Sequence, residues 1–190
     1  QPPLLEPLTL VRDEIKRLDH ILEDFLQFAR PREFVARPVE VVPVLNKVID
    51  LMEGQAERRG VRVVRDLRPV PPIKGDEERL RQVLVNLALN SLEAVPEGGM
   101  VRLSCDPEDP DPERADDAGA VLIRIDDDGP GVPPELRDRI FEPFFTTKAQ
   151  GSGLGLSIVH AIVSQHAGSI RIDDSPEGGA RFEVRLPRAG

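Results

Sequence analysis

The chain has 190 residues, of which 25 are basic and 34 acidic, so its formal net charge is −9. That length allows one ordinary domain with a short appendage and a full hydrophobic core. The acidic balance disfavours a protein that binds nucleic acid, and the single cysteine, Cys105, excludes an internal disulfide framework. No run of 18 apolar residues is present, so no membrane span is predicted, and we expect a reducing, cytoplasmic compartment.

Residues 8–29 have the pattern of one amphipathic helix. Apolar side chains recur in steps of three and four residues, at Leu8, Val11, Ile15, Leu18, Leu22 and Phe25. This seam is typical of paired helices, and it needs a partner because a lone helix cannot bury it. The partner can be a second chain, giving a homodimer, or the globular part of the same chain. Pro31 ends the helix, because proline disfavours helix at the residue before it.

The rest of the chain alternates between helices and strands. Periodicity predicts helices over 41–59, 77–94 and 154–166, and strands over 61–67, 101–105, 121–126, 170–173 and 181–186. Residues 32–40 are predicted as a linker that leads into an extended entry, and the acidic residues 106–119 as a solvated loop. Hairpins occur beside crossovers, so we expect an α/β two-layer sandwich. Its sheet would be mixed and mostly antiparallel, with helices on one face and one long N-terminal helix before it.

Three polar side chains share one face of the predicted helix 77–94. Asn86, Asn90 and Glu93 are spaced i, i+4 and i+7, which brings them to the same side. Asparagine is a poor residue inside a helix, so two on one face suggest a polar cleft, where amide oxygens ligate a hard cation such as Mg²⁺. The alternative is that both asparagines lie on a solvated face.

Asp127 ends a predicted buried strand just before Gly129 and Gly131. This pattern can place a carboxylate deep in a pocket, where it would accept a hydrogen bond from an exocyclic amine such as that of adenine. The more common use of such a sequence is a β-turn flanked by acidic residues.

Two further segments suit a phosphate ligand. Residues 151–156, Gly-Ser-Gly-Leu-Gly-Leu, open a helix whose free N–H groups would match phosphate oxygens. Residues 141–148 hold three phenylalanines and lie between glycine-rich stretches, so they can form a lid from which Lys148 reaches a phosphate. An ordinary loop anchored by its aromatic side chains is the alternative.

In this order and spacing, the segments resemble the four motifs of sensor histidine kinases. They are similar to the N box at 86–94, the first glycine box at 127–131, the F box at 141–148 and the second glycine box at 151–156. The resemblance covers residues 38–187 and implies the two-layer ATPase fold that these kinases share with topoisomerases, a heat-shock chaperone class and mismatch-repair ATPases. Only two residues separate Lys148 from Gly151, so the lid looks like the short nitrogen-regulatory type.

The resemblance also implies a site for ATP and Mg²⁺. Asn90 would hold the metal, Asn86 would support the phosphates, and Asp127 would bind the adenine amine. The residues expected to bind nucleotide are Asn86, Asn90, Asp127, Gly129, Gly131, Val132, Thr147, Lys148, Gly151, Ser152, Gly153, Leu154, Gly155 and Leu156. Asn86, Asn90 and Lys148 are the expected catalytic residues, because phosphoryl transfer is mostly positioning and charge neutralisation.

Residues 1–31 resemble the second helix of the family's dimerisation and phosphoacceptor hairpin, and residues 32–190 its catalytic ATP-binding domain. None of the three histidines is followed by the acidic residue and Pro-Leu that the acceptor carries in the family. His166, near a helix C-terminus, is expected to be a partly charged imidazole that suits the helix dipole.

The function expected is that of a protein histidine kinase domain. It would donate the γ-phosphate of ATP to a His missing from this chain, for relay to a response-regulator Asp, and would not phosphorylate itself. Asn86 stands where ATP-hydrolysing relatives usually carry a water-activating Glu, which fits a kinase. The alternatives are an ATP-hydrolysing member of the same superfamily, or a non-enzymatic helix-pairing module with a degenerate nucleotide pocket.

Overall fold

The computed structural model describes residues 33–110, 119–148 and 151–189, together with Ile15, Leu22 and Leu26. The helices beyond residue 33 are α1 (Val41–Arg58), α2 (Glu77–Ala94) and α3 (Gly155–Gln165). The strands are β1 (Arg37–Val39), β2 (Arg62–Leu67), β3 (Ile73–Gly75), β4 (Met100–Glu108), β5 (Ala120–Asp127), β6 (Ser169–Asp174) and β7 (Ala180–Pro187). Two short 3₁₀ turns, Pro134–Leu136 and Arg139–Phe141, lie between β5 and α3.

Five of the strands form one sheet, in the order β2-β4-β5-β7-β6. β2 pairs with β4 in parallel, and the other three pairs are antiparallel. β1 and β3 form a separate antiparallel pair. The predicted mixed, mostly antiparallel sheet is therefore confirmed.

The core lies on one face of this sheet. Alternate residues of β4, such as Val101, Leu103 and Cys105, are fully buried, because successive side chains of a strand point to opposite faces. The three helices cover that face with their own buried side chains, among them Leu45, Leu84 and Val159. The two-layer arrangement with helices on one face is confirmed. Burial also raises the pKa of the Cys105 thiol to about 12, so it remains a thiol at neutral pH.

The helix that carries the two asparagines begins at a capped residue. The Asp76 carboxylate accepts from the backbone N–H groups of Glu78 (3.1 Å) and Arg79 (3.2 Å), and also from that of Val35 (3.2 Å). Burial alone would raise the pKa of Asp76, but these three hydrogen bonds outweigh it, and the pKa is lowered. The same carboxylate thus caps the helix and fixes the chain that enters the domain.

The structure places His166 in contact with two helices. The ring is buried, its Nε2 accepts from the Asp76 N–H at 3.1 Å, and its Nδ1 lies 2.8 Å from the Ile162 carbonyl oxygen. These two contacts place the ring between the N-terminus of α2 and the C-terminus of α3. The sequence does not show that these two helix ends lie against each other.

Two predicted segments have different bounds. The extended entry expected at the end of the linker 32–40 is the short strand β1, which pairs with β3. The loop 106–119 begins later, because β4 continues to Glu108 and pairs with the start of β5. Residues 111–118 of that loop lie outside the described residues.

The predicted N-terminal helix is described at only three positions. Ile15, Leu22 and Leu26 are helical, and their exposed fractions are 54%, 55% and 53%. At the two seam residues among them, Ile15 and Leu22, the helix is therefore not buried against the domain. The rest of the predicted helix lies outside the described residues. In the part of the chain that is described, no helix is both long and apolar enough to cross a membrane.

Candidate functional site

A cavity of about 560 Å³ lies between α2 and the segments on either side of residues 149–150. It is lined by Arg59, Asn86, Leu89, Asn90, Glu93, Ile140, Phe145, Thr146, Thr147, Lys148, Gly151, Ser152, Gly153, Gly155 and Leu156. Three of the four segments singled out in the sequence thus surround one cavity, although about 50 residues of chain separate the helix from the other two.

The polar face of α2 forms one wall of the cavity. Two oxygens on this wall surround a single cation: the ammonium of Lys148 donates to Asn90 Oδ1 at 3.1 Å and to Glu93 Oε2 at 2.5 Å. Asn86 donates to the Gly155 carbonyl oxygen at 3.4 Å, which links the helix weakly to the glycine-rich loop. These oxygens can therefore hold a positive charge at the mouth of the cavity.

The loop that carries Lys148 is tied to the glycine-rich segment by the backbone. The Phe144 N–H donates to the Gly153 carbonyl oxygen at 2.9 Å. Gly153 has a φ of +70°, and a Cβ added there would lie 2.5 Å from the Phe144 carbonyl carbon. Only glycine fits both conditions without strain. The two motifs therefore behave as one structural unit over the cavity.

The start of α3 presents backbone donors to the same space. The first hydrogen bond within the helix runs from Ile158 N–H to the Leu154 carbonyl oxygen at 2.9 Å. The N–H groups of Gly155, Leu156 and Ser157 consequently have no partner within the helix. A Cβ added at Gly155 would meet nothing within 4 Å, so its backbone is open to a ligand. Such a helix start attracts anions.

Asp127 lies at a different place, behind the end of α2. Its side chain is buried, and its Oδ1 accepts from the N–H groups of Gly129 and Ala180, both at 3.0 Å. Its backbone oxygen accepts from Gly179 at 3.1 Å. Since both side-chain hydrogen bonds go to Oδ1, Oδ2 is the carboxylate oxygen that a ligand can use.

The strand alternation fixes the direction of this carboxylate. The preceding Asp126 points to the face of the sheet that the helices do not cover. There its carboxylate accepts from Arg181 at 2.6 Å, and this hydrogen bond raises the pKa of Arg181. Asp127 therefore points to the opposite, helix-covered face.

The expected site residues thus fall into two groups. Asn86, Asn90, Thr147, Lys148, Gly151, Ser152, Gly153, Gly155 and Leu156 line the cavity, whereas Asp127, Gly129, Gly131 and Val132 do not, and Leu154 is buried in the core. The groups are neighbours through α2: a Cβ on Gly129 would lie 3.1 Å from the Ala94 carbonyl oxygen, and Ala94 follows the cavity residue Glu93.

Some residues of the site are missing from the sequence-based set. Gly179 and Ala180 supply backbone donors around Asp127, and a Cβ on Gly179 would lie only 2.4 Å from Asp127 Oδ1. The Gly178-Gly179 pair was a visible signal, but it also indicates an ordinary hairpin turn. Arg59 lines the cavity from the end of α1, where no motif points to it.

Comparison with known proteins identifies the family of this chain. Residues 75–190 match the model of the histidine kinase-, DNA gyrase B- and HSP90-like ATPase family. The chain belongs to this family. The resemblance seen in the motifs is therefore confirmed.

The relatives of this ATPase domain are sensor kinases. The sensor histidine kinase ZraS of Escherichia coli K12 is 33% identical over 176 residues, which are 92% of this chain and 36% of ZraS. The chain therefore spans little more than a third of that relative.

Solved structures give the same fold. Full-length ShkA in complex with AMPPNP superposes with a TM-score of 0.80 at 33% identity, covering 97% of this chain and 38% of ShkA. The histidine kinase ThkA in complex with the response regulator protein TrrA gives a TM-score of 0.80 at 25% identity, covering 100% of this chain and 53% of that chain.

Proposed function

We propose that this ATPase-family chain is the Mg-ATP-binding catalytic domain of a sensor histidine kinase. The observation that carries the proposal is the cavity in which amide oxygens, a lid ammonium and open helix N–H groups converge. A triphosphate requires these groups together, since it brings several negative charges and many acceptor oxygens. ShkA, which shares the fold, was crystallised with AMPPNP, an analogue of ATP.

Asp127 is the proposed anchor for the adenine amine. Its Oδ1 is already held by two backbone N–H groups, so Oδ2 can accept from the exocyclic amine without rearrangement. A buried carboxylate of this kind discriminates well, because a base that lacks the donor would leave it unpaired.

Asn90 is the proposed protein ligand of Mg²⁺, and Glu93 lies beside it. Their oxygens are of the type that a hard cation prefers, and in support of this they already accept from the Lys148 ammonium. Within the described ranges, no group of three or more His, Cys, Asp or Glu side chains could form a metal cage. This fits Mg²⁺, which is usually held by few protein ligands together with substrate phosphates. When bound, the metal supplies charge neutralisation to the phosphates.

The proposed reaction is phosphoryl transfer to nitrogen. A bond forms between an imidazole nitrogen and the γ-phosphorus, the bond from that phosphorus to the β,γ-bridging oxygen breaks, and ADP leaves with the electron pair. Lys148 and the N–H groups at the start of α3 offset the charge on the phosphate oxygens. Asn86 carries an amide, which cannot take a proton from water, so hydrolysis lacks a general base at this position.

The wider role proposed is signalling by relay. The phosphate would pass to a His outside this sequence and then to an Asp of a response regulator, in support of which ThkA was solved in complex with TrrA. Residues 1–31 would belong to the dimerisation segment and residues 32–190 to the catalytic domain. The half-exposed seam residues Ile15 and Leu22 support a homodimer through this helix. A cytoplasmic location stays a prediction.

A single assay tests kinase against hydrolase. The chain is incubated with γ-labelled ATP and Mg²⁺, and bound nucleotide, released phosphate and acid-labile protein label are all measured. We expect ATP to bind, with neither steady phosphate release nor phosphohistidine on this chain. Steady release that Asn90→Ala abolishes would identify an ATPase instead, and absence of ATP binding would contradict the proposal as a whole.

A further inference from the structure

The charged residues of the four motifs do not give the cavity the net positive charge that a polyphosphate needs. Among the described residues that line it, those with a formal charge are Arg59, Glu93 and Lys148. Lys148 is the only cation that the four motifs supply, and its ammonium lies 2.5 Å from the Glu93 carboxylate. That pair has no net charge, so it contributes little attraction for a polyanion at a distance.

Arg59 is the remaining cation, and it comes from a different part of the fold. It follows the last turn of α1, where its backbone N–H donates to the Ala56 carbonyl oxygen at 3.0 Å. Gly60 then turns the chain into β2 with a φ of +64°. The backbone of Arg59 is thus fixed, and the side chain extends to the cavity wall.

The guanidinium of Arg59 is held only weakly. Among the described residues, its guanidinium donates to the Glu93 backbone carbonyl oxygen at 3.4 Å, which is long for an N–H···O hydrogen bond. Glu93 therefore positions both cations, one through its carboxylate and one through its backbone. Within the described part of the chain Arg59 has no ion pair for a ligand to break, whereas Lys148 must leave one.

We infer that Arg59 is a phosphate-binding residue of the nucleotide site. The inference rests on the proposed function and adds to it a contact from outside the four motifs. A guanidinium suits this role because its planar donors match two phosphate oxygens at once. It would supply the net positive charge that the Lys148–Glu93 pair lacks.

The chain offers a matched control one residue earlier. Arg58 has the same side chain at the same helix end, but it does not line the cavity, and its guanidinium lies near Gly54. Calorimetry with AMPPNP and with adenosine, each in Mg²⁺, is performed on wild type, Arg59→Gln, Arg59→Lys and Arg58→Gln. Thermal unfolding of each variant checks that the fold is retained.

We expect Arg59→Gln to weaken AMPPNP binding by about three- to tenfold and to leave adenosine binding unchanged. Arg59→Lys should recover part of the loss, and Arg58→Gln should match wild type. Equal binding by Arg59→Gln and Arg58→Gln, or an equal loss for AMPPNP and adenosine, would overturn the inference while leaving the proposed function intact. Failure of the wild type to bind either ligand would overturn both.

Discussion

The two ends of the proposed nucleotide site are built in different ways. At the adenine end, Asp127 is buried and fixed by backbone N–H groups. At the phosphate end, the charged groups are exposed side chains that pair with one another, such as Lys148 with Glu93 at 44% and 51% exposure. The first end is set by the fold before a ligand arrives. The second consists of contacts that a charged ligand can replace at low cost.

The largest expected effect is on the fold at the adenine end. Gly179→Ala places a Cβ 2.4 Å from Asp127 Oδ1 and 2.5 Å from the Gly129 nitrogen, so the backbone there must move. We expect the free energy of unfolding to fall by about 2–3 kcal/mol, measured by denaturant titration.

The matched glycine at the phosphate end should behave in the opposite way. In Gly155→Ala the new Cβ meets open space, so stability should be unchanged or slightly higher, while AMPPNP binding weakens because the methyl group enters the ligand's space. If Gly155→Ala were as unstable as Gly179→Ala, the contrast between the two ends would be wrong.

Asn90→Ala is expected to have the next largest effect, and this effect is on nucleotide binding and not on stability. Removal of the amide oxygen should reduce AMPPNP affinity in Mg²⁺ by about tenfold, roughly 1.4 kcal/mol, and make affinity nearly independent of Mg²⁺. Asn46→Ala, a partly buried asparagine on α1 that does not line the cavity, is the control. Undiminished Mg²⁺ dependence in Asn90→Ala would exclude Asn90 as the metal ligand.

The cap of α2 gives a pH-dependent prediction. Because the folded-state pKa of Asp76 is lowered from 3.8, its contribution is full at pH values above that and is lost as the pH falls through the folded-state pKa. Asp76→Ala should cost about 1 kcal/mol of unfolding free energy at pH 7, and less as the medium becomes strongly acidic. Asp76→Asn, which keeps an acceptor for the cap, should lose less at pH 7. A deficit that grows on acidification would contradict this assignment.

The smallest effect is expected at the Lys148–Glu93 pair. Glu93→Gln removes an exposed ion pair, so the free energy of unfolding should change by less than about 1 kcal/mol. A loss as large as that of Gly179→Ala would mean that the lid contact is part of the framework of the fold.

The sequence predicted most of the sheet, the helices and the motif residues, because these have periodicity or unusual composition. The predicted helix 77–94 has the same bounds as α2, because Asp76 marks its start and the apolar stripe marks its length. Three-residue strands such as β1 and β3 have too little pattern to be found. The position of Arg59 at the cavity and the contact of His166 with Asp76 depend on the packing of distant segments, which a single sequence does not contain.

The most direct test of the account is the binding of AMPPNP to wild type and to Asp127→Asn, measured by calorimetry with and without Mg²⁺. In the variant, an amide donor can face the adenine amine, which is itself a donor. The account predicts Mg²⁺-dependent binding by wild type and a loss of about 100-fold, roughly 2.7 kcal/mol, in the variant, with the fold retained in thermal unfolding. Equal affinities would contradict the central claim, because a nucleotide would then bind without its adenine anchor.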